Sequence, residues 1–238
     1  MPSKKYQRLV ASDAASFHRS HGTLDDAGKA ILIVTEGEVT EPAYFKEVRG
    51  MLASLTVELV THGAGAGDPS VLARKALALR KERRQKARDR ELRLGQLEDF
   101  DELWIVFDTD VIDSAKLSTG LRFAKRNGVK IAASTPSFEF WLLLHYCRTT
   151  KCFEKCEHVV AALEKEMQQD YSKTKSAARK LMPYFLPKTQ KAIGHAIWVR
   201  KYHLDAQTEA PANPSTDVDL LIAAIQKAAS PANQPFQF

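Results

Sequence analysis

The chain has 238 residues, 44% hydrophobic and 27% charged, with 11 Gly and 10 Pro. That balance excludes a disordered, collagen-like or coiled-coil protein and leaves one or two globular domains with a sizeable core. The net charge of +6 is unevenly spread: residues 74–93 hold ten basic against three acidic side chains, so this segment is +7 and the other 218 residues sum to −1. A polyanionic partner and a basic, solvated helix face both fit that segment. No apolar run approaches the ~20 residues of a membrane helix, and MPSKKYQRLVASDAASFHRS lacks the apolar stretch of a secretory signal. A cytoplasmic protein with no membrane partner is therefore expected.

Residues 1–28 are polar and without clear period, which reads as a loosely held leader. Lys29-Ala30-Ile31-Leu32-Ile33-Val34 has no polar face and suits a parallel strand covered on both sides. It leaves through Thr35-Glu36-Gly37-Glu38, and Thr40-Glu41-Pro42 then combines an N-cap residue, an acidic first turn and an early proline, predicting a helix over about 41–53. Leu55–Val60 reads as a second strand, 63–69 as a glycine-rich loop, and about 69–94 as the basic helix. Glu102–Phe107 is a third strand running into Asp108-Thr109-Asp110, followed by a helix near 114–127 that closes at Gly128 and a fourth strand, Val129–Ser134. Such alternation implies right-handed crossovers and an α/β fold with a four-stranded parallel sheet flanked by helices. After residue 137 the pattern changes to a nearly all-apolar helix starting at Phe138 and further helices near 156–168, 173–185, 188–203 and 216–229. The predicted organisation is a leader (1–28), an α/β core (29–147) and a helical C-terminal region (148–238), either separate or packed on the core.

Ligands of parallel sheets sit beyond the carboxyl ends of the strands. Glu36, Asp108, Asp110 and Glu139 all fall just past such ends, and hard oxygen ligands gathered in this way suit Mg²⁺ or Mn²⁺, one or two ions. Alternation along an extended segment turns Asp108 and Asp110 to one side. Gly37 allows a close backbone approach or a positive φ at the strand exit. The plainer reading is that acids at strand ends are solvated or cap helices, which suits Glu38 and Glu41. A lone DxD pair occurs by chance in many chains; its combination with Glu36 and Glu139 is more specific.

Ile31–Glu41, with Trp104–Asp110 some 70 residues later, resembles the Toprim domain of topoisomerases, DnaG-type primases and OLD-family nucleases. More narrowly, EGEVTEPAYF, VFDTD, SFEFWLLLHY, Tyr171-Ser172-Lys173 and Asn213-Pro214-Ser215-Thr216 resemble the RloB-like family of bacterial proteins, over about residues 30–220. The resemblance implies a Toprim-like core in which Glu36 matches the catalytic or metal-binding glutamate and Asp108 and Asp110 match the metal-binding pair. Ser137 and Glu139 fall where OLD-like nucleases place a serine and glutamate that help hold a second metal. The RloB-like resemblance also implies a role in bacterial phage defence.

Phosphodiester hydrolysis needs an activated water and neutralisation of charge on the phosphate oxygens, which two metals can supply. The expected function is a Mg²⁺/Mn²⁺-dependent Toprim nuclease with catalytic Glu36, Asp108 and Asp110, metal ligands Glu36, Asp108, Asp110 and Glu139, and support from Gly37, Glu41 and Ser137. Arg80, Lys81, Arg83, Arg84, Lys86 and Arg88 are the candidates for gripping the nucleic-acid backbone, DNA ahead of RNA. Lys173 and Lys175 lead a second basic cluster that suits phosphate contact or a solvated helix start. The alternative is a non-cutting nucleic-acid-binding or regulatory subunit of a defence complex. The spacing of His145, Cys147, Cys152, Cys156 and His158 crowds a helix end and does not match paired zinc ligands. No phosphate-binding G-x-x-x-x-G-K-[ST] loop is present, so an ATP requirement would have to be met by an ATPase partner.

Overall fold

A computed structural model describes residues 29–51, 57–63, 68–92, 97–109 and 112–229. The expected leader, the first residues of the second strand, the middle of the glycine-rich loop and Asp110 lie outside the described residues.

The elements follow as β1 (Lys29–Thr35), α1 (Thr40–Met51), β2 (Val57–Gly63), α2 (Pro69–Arg88), β3 (Glu102–Asp108), α3 (Ser114–Arg126) and β4 (Val129–Thr135). The C-terminal half adds α4 (Glu139–Leu144), α5 (Cys156–Met167), α6 (Lys175–Phe185), α7 (Thr189–Asp205), β5 (Ser215–Thr216) and α8 (Val218–Ala229). β2 runs on to Gly63 because it pairs with β1 along its whole length, Lys29 opposite Val57 through to Thr35 opposite Gly63. The basic helix stops at Arg88, short of 94, where Asp89 caps it and Arg90 takes a positive φ of 57°.

The sheet order is β2-β1-β3-β4-β5. The first four strands are parallel, but the sheet is mixed, not purely parallel as expected: β5 pairs antiparallel with the end of β4, Ser134 opposite Thr216 and Thr135 opposite Ser215. Two residues carry no periodicity that could announce a strand. Their physical role is to cover the open hydrogen-bonding edge of β4.

Between their end residues, from Ala30 to Val34 and from Leu103 to Phe107, β1 and β3 are apolar because both faces are covered. Ile31, Ile33, Trp104 and Val106 pack with α1 and with buried residues of α4 to α8, such as Trp141, Phe185, Val199 and Ile222. Ala30, Leu32, Val34, Leu103, Ile105 and Phe107 pack with Leu72, Ala73 and Ala76 of α2 and Leu117 and Ala124 of α3. The C-terminal helices thus share one continuous hydrophobic cluster with a face of the sheet. Within it His145 is fully buried. Its Nδ1 donates to the Trp141 carbonyl (2.9 Å), so Nε2 accepts from the Tyr44 hydroxyl (3.2 Å), and burial pushes its pKa down to about 3. Among the described residues no helix is long and apolar enough to cross a membrane.

On the other face, α2 and α3 meet at Gly120. A Cβ there would lie 2.8 Å from Pro69 Cβ and 3.0 Å from the Ser70 nitrogen, both part of the α2 start that Asp68 caps through Ser70 N–H (2.7 Å). Backbone cannot give way as a flexible side chain can. Gly120→Ala should therefore cost about 1–3 kcal/mol despite the better helix propensity of alanine. Urea unfolding checks this; unchanged or increased stability would show that the two helices separate freely.

Candidate functional site at the carboxyl edge of the sheet

The site is built by strands handing side chains to their neighbours' backbone. Glu36 N–H donates to the Val106 carbonyl (2.8 Å), carrying the β1/β3 ladder one residue past β1. The Glu36 carboxylate then reaches to β3, where Oε2 accepts from the Asp108 N–H (3.0 Å). Asp108 does the same to the exit of β4: its Oδ1 accepts from the Phe138 N–H (2.8 Å), immediately before Glu139 opens α4. Thr109 continues the β3/β4 pairing, donating from its backbone to the Ser134 carbonyl (3.0 Å) and from Oγ1 to Thr135 Oγ1 (2.8 Å).

Gly37 is required by close approach. Its N–H donates to Glu41 Oε1 (2.9 Å), its carbonyl accepts from Thr35 Oγ1 (2.7 Å), and a Cβ at this position would fall on the Glu41 carboxylate. Glu41 lies in the first turn of α1, so it can favour the helix dipole while it braces the turn after β1.

Glu139 is 1% exposed, an extreme burial for a carboxylate. Oε1 accepts from the Tyr171 hydroxyl (2.9 Å) and the Lys173 ammonium (3.0 Å), and Oε2 from the Cys156 thiol (3.3 Å). Tyr171 OH in turn accepts from Thr40 Oγ1 (3.2 Å), tying α1 to the segment before α6. Ser137 Oγ is fully buried beside Glu139 and Cys156 and makes no hydrogen bond of regular geometry. Sequence reasoning did not assign site roles to Thr40, Cys156 or Tyr171, and it left Lys173 to a solvated helix start or to phosphate contact. The Tyr171-Ser172-Lys173 stretch was visible as a motif, but nothing local to it announces a partner on α4.

Four carboxylates are close enough to repel one another. Burial, and then the charges of Glu139, Glu41 and Glu36, push the Asp108 pKa well above the usual carboxylate range. Burial also raises Glu41, opposed by the backbone N–H groups of Glu41 and Gly37 and reinforced by Glu139 and Glu36. Burial works in the same direction on Glu139, but the Lys173 ammonium and the surrounding hydrogen bonds outweigh it and hold that carboxyl below its ordinary value. Beside the Glu139 charge, burial pushes the Cys156 thiol up to about 11, so it stays protonated and donates.

The basic residues of α2 lie elsewhere. α2 runs back along the sheet, and its second half reaches the segment that precedes β3. Arg80 binds Asp99 through Nε (2.8 Å) and Nη2 (2.7 Å), and Arg84 Nη2 binds the same carboxylate (2.6 Å). Arg83 is buried with its guanidinium 4.5 Å from the Phe100 ring centre and Nη1 on the Leu97 carbonyl (3.0 Å). Asp101, one residue on, bonds both ways to Ala30 at the start of β1 (2.8 Å each). Arg80, Arg83 and Arg84 are thus at the amino ends of the strands, a strand length of about 20 Å from the carboxylates. Lys86 pairs with Glu82 (2.6 Å), Arg88 contacts Gln85, and Lys81 is exposed. Lys175 is exposed at the start of α6.

The five residues of the rejected zinc pattern are dispersed as well. Cys147, Cys152 and His158 line a surface groove between the α4 exit and α5, Cys156 is in the carboxylate site, and His145 is in the core. All three cysteines are free. Among the described residues no three His, Cys, Asp or Glu side chains are arranged to hold a metal ion as they stand. The donor set at the sheet edge still fits a hard divalent cation: clustered carboxylate oxygens, a buried serine hydroxyl without a well-formed hydrogen bond, and a lysine ammonium already drawn onto the most buried carboxylate.

These electrostatics give two substitutions of opposite sign. Because the folded-state pKa of Asp108 is raised, its contribution to stability is present below about pH 4 and is lost as pH rises through that raised value. Asp108→Asn keeps the acceptor for Phe138 N–H and removes the repulsion. It should raise the melting temperature in EDTA by about 3 °C or more near pH 8, and by much less near pH 4. Lys173→Met leaves Glu139 buried without its ammonium and should lower the melting temperature near neutral pH. Thermal melts across pH check both; an Asp108→Asn gain that does not grow with pH would remove the carboxylate repulsion from this description.

The stretches that build this edge, from β1 to α8, coincide with a match to the family model described as RloB-like protein, over residues 31–225. Comparison with curated proteins and with solved structures finds no match. A match over most of the chain, including both strand exits and Tyr171-Ser172-Lys173, shows that the chain belongs to the RloB-like family.

Proposed function

We propose that this chain is a Mg²⁺- or Mn²⁺-dependent nuclease with a Toprim-type core, hydrolysing nucleic-acid phosphodiester bonds in bacterial phage defence. The observation that carries the reading is the convergence of Glu36, Glu41, Asp108 and Glu139 at one sheet edge, where burial, reinforced by their mutual repulsion, raises the pKa of two of them. A protein gains nothing in stability from such a cluster; a cation-dependent reaction does. Glu36 after β1 and Asp108 at the end of β3, on adjacent parallel strands, support the Toprim resemblance.

Glu36, Asp108 and Glu139 would hold the metal, with Ser137 in support; Asp110, expected to join them as a ligand, lies outside the described residues. When bound, the metal supplies Lewis-acid neutralisation of the phosphate and lowers the pKa of the attacking water. The chain's own groups do the rest. Glu36, half-buried and fixed by Asp108 N–H, can take a proton from that water at its carboxylate. Tyr171 and Cys156 orient Glu139 by donating to its two oxygens. Lys173, with half its side chain exposed, can transfer its donor from Glu139 to a phosphate oxygen once Glu139 has another cation.

One observation favours a second reading, a non-cutting binding or regulatory subunit: each of these carboxylates is already engaged by a backbone N–H or by Lys173. The two readings separate in a single assay. Purified protein is incubated with supercoiled plasmid, single-stranded DNA and RNA, with Mn²⁺, Mg²⁺ or EDTA. Metal-dependent cutting is expected, reduced about 100-fold or more by Glu36→Ala and by Asp108→Ala. Cutting that survives both substitutions would overturn the assignment of the site, and binding without cutting of any substrate would establish the subunit.

A further inference from the structure

The exposed side of α7 is not explained by the core or by the carboxylate site. Lys191, His195, Trp198 and Tyr202 recur at i, i+4, i+7 and i+11 and so line one stripe of the helix, about 16 Å long. Trp198 and Tyr202 are 36% and 47% exposed, whereas the other two tryptophans, Trp104 and Trp141, are 5% and 0%. The Trp198 and Tyr202 rings are stacked, 23° from parallel with centres 6.2 Å apart. Cations border them. The Arg148 guanidinium lies 4.8 Å from the Trp198 ring centre, Lys201 is exposed beside Tyr202, and Lys191 holds the Tyr146 carbonyl (2.7 Å).

We propose that Trp198 and Tyr202, with Arg148, Lys191 and Lys201, form a stacking platform for single-stranded nucleic acid. Bases stack on aromatic faces whatever their sequence, while neighbouring cations follow the backbone. The charge of the surface selects this occupant. The one acidic group in the stripe, Asp205, is taken up by Lys201 (2.9 Å). Pairing two copies of this face about a two-fold axis would set Arg148, Lys191 and Lys201 against their own duplicates. A lipid surface would draw in aliphatic side chains, yet the exposed Ile197 and Leu204 lie about a third of a turn around the helix from the aromatic stripe. The six-residue helix α4, about 9 Å long, runs from Glu139 in the carboxylate site toward the Arg148 end of the platform. A strand held on the platform is thereby tethered near that edge. The inference rests on the nucleic-acid partner of the proposed function, not on its metal chemistry.

The buried state of Trp104 and Trp141 makes Trp198 the reporter. Full-length protein in EDTA is titrated with oligothymidylate and with a single-stranded RNA, following tryptophan emission and the anisotropy of a labelled oligonucleotide. Binding with quenching is expected. Trp198→Ala with Tyr202→Ala should weaken binding roughly tenfold or more, Arg148→Glu should weaken it too, and Trp198→Phe should keep most of the affinity while losing the quenching. Circular dichroism melts confirm that these surface variants fold. If the double variant binds as tightly as wild type, the platform is wrong while the nucleic-acid reading stands. If wild type binds no single strand, the platform is wrong, and the nuclease reading is decided separately by the plasmid assay with metal. Quenching by anionic vesicles alone, or a concentration-dependent dimer that buries Trp198, would also overturn the proposal.

Discussion

The structure depends on carboxylates held by the backbone of the neighbouring strand. Glu36 from β1 takes the Asp108 N–H of β3, and Asp108 takes the Phe138 N–H beyond β4. These two links continue the sheet ladder with side chains after the strands have ended, so the register of three parallel strands fixes where the charges lie. The links also have an electrostatic cost, because each brings another carboxylate into a poorly hydrated corner. Lys173, Tyr171 and Cys156 offset that cost at Glu139, and in doing so they bind the C-terminal half to the sheet edge. Packing of the C-terminal helices and charge balance at the site are therefore one problem with one solution.

Residues that act through local geometry were legible in the sequence. The apolar runs of β1 and β3, each followed at once by an acid, located Glu36 and Asp108. The glycine after Glu36 reads correctly as a close approach, with the Glu41 carboxylate as the approaching group. Contacts between distant segments were not legible. The Glu139 to Tyr171 hydrogen bond spans 32 residues and Thr40 to Tyr171 spans 131, and no periodicity encodes either. The same limit explains β5, whose two residues are a strand only because β4 offers an edge.

The basic segment shows a different limit. Its charge was plain, but where a helix carries charge depends on which way it runs along the sheet. A helix that follows β2 must return toward the amino ends of the strands before β3 begins, so its later residues arrive opposite the carboxylates. There Asp99, Phe100 and the Leu97 carbonyl take up Arg80, Arg83 and Arg84. Asp99 is held well below the usual carboxylate range: burial opposes its ionisation, and the two guanidiniums more than offset that. Three of the expected phosphate-binding cations thus have a structural occupation at the far end of the sheet.

This separation of charge constrains any reaction at the carboxyl edge. A phosphodiester approaching Glu36, Asp108 and Glu139 meets clustered negative charge, and Arg80, Arg83 and Arg84 of α2 are too far away and too screened by salt to cancel it. On the proposed reading two things must therefore precede chemistry. A cation has to neutralise the carboxylates, and the nucleic acid has to be held by contacts that do not pass through them. The aromatic and basic stripe of α7 meets the second requirement because stacking does not depend on the field at the sheet edge. On that reading Lys173 neutralises Glu139 before a metal arrives, and a divalent cation held by Glu139 would free its half-exposed ammonium for a phosphate oxygen, without bearing on binding at the α7 stripe.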